Sequence, residues 1–168
     1  MQKLTLKSCI ARADELGVEI VGDVNFRGDC KAEDADLASF FAWVRYEYPL
    51  YRHFVFHAET EFNPTSATSY AYHAKSKAKG RLDGISDIIC LPISKGAPAF
   101  LCELKRCDIG KSLASKKRKE HFENQLMLLS SQKQAGNTAI VALGFEAAKA
   151  AFIEYVEKWK WTESKKFN

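Results

Sequence analysis

Asp87, Glu103 and Lys105 fall in the stretch GRLDGISDIICLPISKGAPAFLCELKR, residues 80–106. An acid begins one apolar run, and an acid and a lysine interrupt the next. Burying an unpaired charge costs several kcal/mol, so charges inside a strand require partners. Side chains alternate across a strand. Glu103 and Lys105 therefore share one face, and Leu104 points to the other, toward the core. If the two apolar runs form a hairpin, Asp87 and Glu103 converge with the Lys105 ammonium at one end of it. Two neighbouring carboxylates repel, and each raises the other's pKa. A divalent cation relieves that repulsion. Hard carboxylate oxygens, with a backbone carbonyl and water, suit Mg²⁺ or Mn²⁺. Such an ion acidifies bound water and stabilises charge on a phosphoryl oxygen. Lys105 would orient the attacking water or offset developing negative charge. The plainer alternative is a salt bridge at a sheet edge, which a lone Glu-x-Lys usually is.

The elements that must hold these residues can be read from periodicity. Residues 85–92 and 99–105 are expected as strands joined by the turn SKGAP. Upstream, residues 3–6 read as a short strand. Ser8 is placed to cap a short helix through Leu16, with Gly17 ending it. Residues 18–21 read as a strand, and GDVNFRGDC as a loop. A helix is expected over 33–46, where Leu37, Phe40, Phe41 and Val44 recur at helical spacing. Acids in its first turn favour the helix dipole, and Pro49 ends it. Residues 51–59 read as a strand, followed by a long polar stretch of weak periodicity. Residues 111–119 are polar and expected to be mobile at their start. A helix over 120–134 turns Phe122, Leu126 and Leu129 to the core. A strand within 136–144 and a helix over 145–159 complete the chain. The order α-β-β-β-α-β-α implies an α/β fold, a mixed sheet flanked by helices.

At 168 residues the chain fits one domain. Its 46% apolar and 27% charged residues are ordinary for a globular protein. No apolar run is long enough to span a membrane, and the first residues have no uninterrupted apolar segment of a signal peptide. A cytoplasmic location without a membrane partner is expected. Five cysteines, with no C-x-x-C pair, read as reduced thiols, Cys90 and Cys102 as small buried hydrophobes. The net charge of +4 is unevenly spread. Residues 105–119 carry seven Lys/Arg against Asp108 alone, and residues 73–81 carry four with no acid. The last twelve residues mix lysines with two tryptophans. Basic stretches interleaved with aromatics suit a polyanion such as nucleic acid. The competing reading is a solvated lysine-rich surface. Lys79, Arg81, Gly84, Arg106, Lys111, Lys116 and Lys117 are the candidate contacts, and no nucleotide cofactor is expected.

Taken together, GRLDGISDIICL, AFLCELKR, ENQLMLL and TAIVALGFEAAKAAFIEY resemble the PD-(D/E)XK nuclease superfamily. Within it they are most similar to the VRR-NUC group, found in phage and bacterial proteins and in larger repair nucleases. The resemblance runs over about residues 33–155. It implies a restriction-endonuclease-like core at 33–160, an N-terminal extension at 1–32 and a basic tail at 161–168. Asp87 and Glu103 would be metal ligands with the Leu104 carbonyl, although Ser86 stands where the group has Pro. Lys105 would be the catalytic lysine and Gln125 the glutamine that supports the site. Gly80 and Gly84 match the glycines before the Asp, for a tight turn or close approach by a DNA backbone. The first-helix acid of the group would be Glu33, with Asp36 as the competitor. HAETEFN resembles an H-x-P-N-E segment through His57 and Glu61, with Glu59 and Thr60 in place of Pro and Asn. A histidine on an apolar strand is more often a core residue than a ligand. The resemblance implies a Mg²⁺- or Mn²⁺-dependent DNA endonuclease leaving 5′-phosphate and 3′-hydroxyl ends. Its substrate would be branched DNA such as a Holliday junction, met by a two-fold homodimer with two sites. The alternative is a nuclease-like module that binds nucleic acid without cutting.

Overall fold

The computed structural model describes residues 4–58, 78–80 and 84–160. Glu61, Arg81 and the basic tail lie outside the described residues. Helix α1 (Leu6–Glu15) opens on a capping box: Thr5 Oγ1 accepts the Ser8 N–H at 3.0 Å, and Ser8 Oγ accepts the Thr5 N–H at 2.8 Å. Ser8 is thus inside the first turn, and Leu6 is helical where the sequence suggested the end of a strand. Gly17, at φ +66°, turns the chain into β1 (Glu19–Val21). Then follow α2 (Glu33–Glu47), a 3₁₀ turn at Pro49–Tyr51, β2 (Val55–Phe56), β3 (Ile88–Cys90) and β4 (Phe100–Lys105). The short α3 (Ile109–Ser112), long α4 (Lys116–Gln134), β5 (Thr138–Leu143) and α5 (Phe145–Trp159) close the order.

The sheet runs β1-β5-β4-β3-β2. β1, β5 and β4 are parallel, and β3 and β2 are antiparallel to their neighbours. Residues 1–32, read from the sequence as an extension, therefore supply a sheet strand and a covering helix. All six residues of β4 are buried. Phe100, Cys102 and Leu104 pack on one face with Phe40 and Val44 of α2 and Phe152 and Tyr155 of α5. Leu101 packs on the other with Cys9 and Ala13 of α1 and Phe122, Leu126 and Leu129 of α4. A strand covered on both faces is normally apolar throughout. Glu103 and Lys105 break that rule on the α4 side.

Other elements also differ from the sequence reading. The strand expected over 51–59 shrinks to two residues, because Pro49 starts a 3₁₀ turn that delays the extended backbone. Helix α4 starts at Lys116, where Ser115 Oγ accepts the Arg118 N–H at 3.2 Å. Its charged first turn carries no apolar period, so only the cap marks it. The stretch expected to be mobile begins instead with α3, capped by Asp108. Among the described residues no helix is long and apolar enough to cross a membrane.

Candidate active site

Strand register puts the two acids together. Ile88 pairs with Cys102, Ile89 with Leu101 and Cys90 with Phe100. Continuing the antiparallel ladder by one residue sets Asp87 opposite Glu103, with both side chains on one face. Asp87 precedes the first residue of β3, and its Oδ2 accepts the Leu104 N–H at 2.9 Å. Its own carbonyl accepts the Nδ1–H of His57 at 2.7 Å. His57 is exposed rather than in the core, and it fixes the backbone of Asp87 from the end of β2. Successive residues of a strand offer their backbone groups to alternate edges. The carbonyls of Ala99 and Lys105 are taken by Thr138 and Gly144 on the β5 side. Leu104 thus presents its N–H and C=O toward the β3 side, beyond the point where β3 begins.

Glu103 is 1% exposed. Its Oε1 accepts Lys105 Nζ at 2.5 Å and Gln125 Nε2 at 2.6 Å. Its Oε2 is buried with no partner, and so is Gln125 Oε1. Lys105 is 7% exposed, with its ammonium 5.9 Å from the Phe122 ring centre. Burial pushes the Glu103 carboxyl well above its ordinary range; Lys105 opposes the shift and Asp87 adds to it. For Lys105, burial favours the neutral amine, but the charges of Glu103, Glu33 and Asp87 outweigh it and hold the pKa above the usual value. The two shifts are rivals for the same proton. Lys105 faces three carboxylates and keeps it. Burial outweighs the opposing ammonium and makes Glu103 a weak acid.

The two candidate acids in the first turn of α2 have different surroundings. Glu33 Oε1 accepts the Ser112 Oγ–H at 2.5 Å, and its charge acts on Lys105. Asp36, one turn on, is 3% exposed, and its buried Oδ2 has no hydrogen-bond partner. Burial pushes its carboxyl up, with Lys31 and the Phe145 N–H opposing. It lies against the start of α5, where a Cβ at Gly144, at φ +82°, would stand 3.5 Å from Asp36 Oδ2. A Cβ at Gly144 would collide with Cys107 Sγ. Glu33 thus points to the candidate site and Asp36 to a helix end.

The basic candidates are scattered in kind. Lys79, Lys116 and Lys117 are exposed, with Lys116 3.7 Å from Glu120. Lys111 Nζ donates to the Gly28 carbonyl at 2.6 Å and lies 3.8 Å from Asp29. The half-buried Arg106 gives its N–H to Ser112 Oγ at 3.0 Å. Gly84, expected at a DNA backbone, is buried at φ +79°, and a Cβ there would stand 3.6 Å from Gln125 Cγ. Its place is a left-handed turn packed under α4, the tight turn being one of its two expected uses. Gly80, at φ +92°, is exposed.

A metal ion is testable against these donors. Among the described residues no group of three or more His, Cys, Asp and Glu side chains stands together as a metal cage. Mg²⁺ commonly takes one or two carboxylates and keeps several waters. Opposed Asp87 and Glu103, the unpartnered Glu103 Oε2 and the Leu104 carbonyl edge fit that smaller set of hard oxygen donors.

A solved VRR_NUC domain protein has a similar structure, with a TM-score of 0.53 at 21% sequence identity. The match covers 77% of this chain and 91% of that one. The fold is that of a VRR-NUC domain. No protein-family model matches the sequence, and no curated protein does. The VRR-NUC likeness is one of nuclease-like architecture, and the chemistry rests on the side chains. Sequence reasoning named Asp87, Glu103, Lys105, Gln125 and Glu33, which the structure links by contact or by charge. It missed Ser112 and the clamp on Asp87 by His57, whose contacts span 79 and 30 residues.

Proposed function

We propose that the protein is a divalent-metal-dependent DNA endonuclease that hydrolyses phosphodiester bonds. The observation that carries this reading is the opposed pair Asp87 and Glu103, with one buried, unpartnered carboxylate oxygen, beside Lys105. Like charges set directly opposite each other destabilise a sheet unless something offsets them. Asp87, Glu103 and the Leu104 carbonyl would hold Mg²⁺ or Mn²⁺, which supplies a water of lowered pKa and stabilises charge on the phosphoryl oxygen. Gln125 and Lys105 lock Glu103 in one orientation, and the Leu104 N–H and His57 lock Asp87. Lys105 orients the attacking water and offsets negative charge growing on the scissile phosphate. Exposed Lys79, Lys116 and Lys117 engage the phosphate backbone. The resemblance adds 5′-phosphate products, a branched DNA substrate and a homodimer presenting two sites. Five free cysteines suit work in a reducing cytoplasm.

The test uses supercoiled, four-way-junction and linear DNA, with Mn²⁺ or with EDTA, comparing wild type with Lys105→Ala. Metal-dependent cutting that Lys105→Ala loses is the expected result. Tight binding without cutting in any metal would identify a non-cleaving module instead.

A further inference from the structure

We propose that Ser112 is a positioning residue for Glu33, fixing its carboxylate at the start of α2; the proposal rests on the nuclease reading above. Glu33 is the first residue of α2, whose N-cap, Ala32, makes no side-chain cap. The segment leading to it, from Gly22 to Ala32, carries no helix or strand. Nothing local therefore fixes where this carboxylate sits, and the fixing comes from the turn after β4.

Ser112 Oγ accepts the Arg106 N–H at 3.0 Å and donates its one hydrogen to Glu33 Oε1 at 2.5 Å. A hydroxyl has a single proton. With the backbone amide next to Lys105 bound on its acceptor side, that proton is committed to Glu33. Ser112 is 7% exposed, so water competes weakly. The same corner holds the incoming loop. Asp108, 5% exposed, accepts the Gly110 N–H at 3.0 Å on one oxygen and the Gly28 N–H at 3.2 Å on the other. Lys111 Nζ donates to the Gly28 carbonyl at 2.6 Å. Both polar groups of Gly28 are thus bound by a corner that starts directly after Lys105. The start of α2 is registered against the active site through Asp108, Lys111 and Ser112, and of these three Ser112 alone bonds the carboxylate.

The experiment measures Mn²⁺ affinity without DNA, by electron paramagnetic resonance, and kcat on junction DNA. Hydrogen bonds to charged groups are worth enough that Ser112→Ala should lower kcat by about tenfold, with Mn²⁺ affinity weakened severalfold. Ser112→Thr keeps the hydroxyl and should restore both. In a Glu33→Ala background, Ser112→Ala should add no further loss. An equal loss in that background would mean that Ser112 acts through general folding, and the proposal would be overturned. Should Ser112→Ala fail to fold, Ser112→Cys keeps the volume with a weak donor; wild-type values for it would also overturn the proposal. Glu103→Gln separates the two levels. If it leaves Mn²⁺ affinity unchanged, the nuclease reading and this proposal fall together; if it weakens affinity while Ser112→Ala does not, only this proposal falls.

Discussion

Glu103 gives one oxygen to Lys105 and Gln125 and leaves the other without a partner, across from Asp87. Two facing carboxylates with nothing between them are a cost to the fold. Asp87→Asn should abolish metal-dependent cutting and, in EDTA, raise stability to urea by about 1 kcal/mol, since one carboxylate stops repelling the other. The pH dependence has a definite sign. With its pKa raised on folding, Glu103 binds a proton more readily in the folded chain than in the unfolded one. Between the raised value and the ordinary carboxyl range, its contribution to stability therefore grows as pH falls and is lost as pH rises. In EDTA, wild type should gain stability relative to Glu103→Gln as the buffer is lowered from neutral toward that range, and saturating Mn²⁺ should erase the gain. A difference between the two proteins that stays flat with pH would refute it. The acids and the lysine are legible in the sequence because period-two alternation places them on one face. Gln125 is legible only through the resemblance. Ser112 leaves no trace there, because a hydroxyl that reaches across 79 residues has no local pattern.

Helix α5 shows what an element owes to its neighbours. Its boundaries, 145–159, are legible because apolar positions recur at helical spacing right after a glycine. Its neighbour Asp36 is not, since that residue comes from another helix. Asp36 Oδ2 is buried without a hydrogen-bond partner, so Asp36→Asn, which removes the charge at nearly the same volume, should melt at or above wild type in thermal or urea unfolding. On the same helix, the Phe152 ring sits 5.5 Å from both Phe40 and Phe100, edge to face or nearly so. Phe152→Ala empties the junction of α2, α5 and β4 and should cost about 3–5 kcal/mol. Helix α4 begins at Lys116, four residues before its expected start at 120, because lysines and an arginine fill its first turn. Strand β2 is shorter than its aromatic composition suggests, because a 3₁₀ turn forms where that composition favours extended backbone.

Across the whole molecule, charge and topology act over longer distances. Binding to non-cleavable duplex in EDTA should weaken linearly with the logarithm of salt concentration. Each phosphate that is no longer neutralised should flatten that slope by about 0.9, so replacing Lys116 and Lys117 together should flatten it by about two. An unchanged slope would place the DNA elsewhere. The α-β-β-β-α-β-α order is legible because each element has its own period. The partner of β1 is not, since a parallel pairing between distant segments has no local signal. That pairing joins Glu19 to Ile140, and β5 in turn lies along the full length of β4. On the ribosome, β1 emerges early and must wait for β5 before its edge is matched. Until then β4 lacks its parallel neighbour, and the Lys105 carbonyl lacks the Gly144 amide that it accepts. A nascent chain of this wiring cannot brace the strand that carries Glu103 and Lys105 before residue 144 has left the exit tunnel.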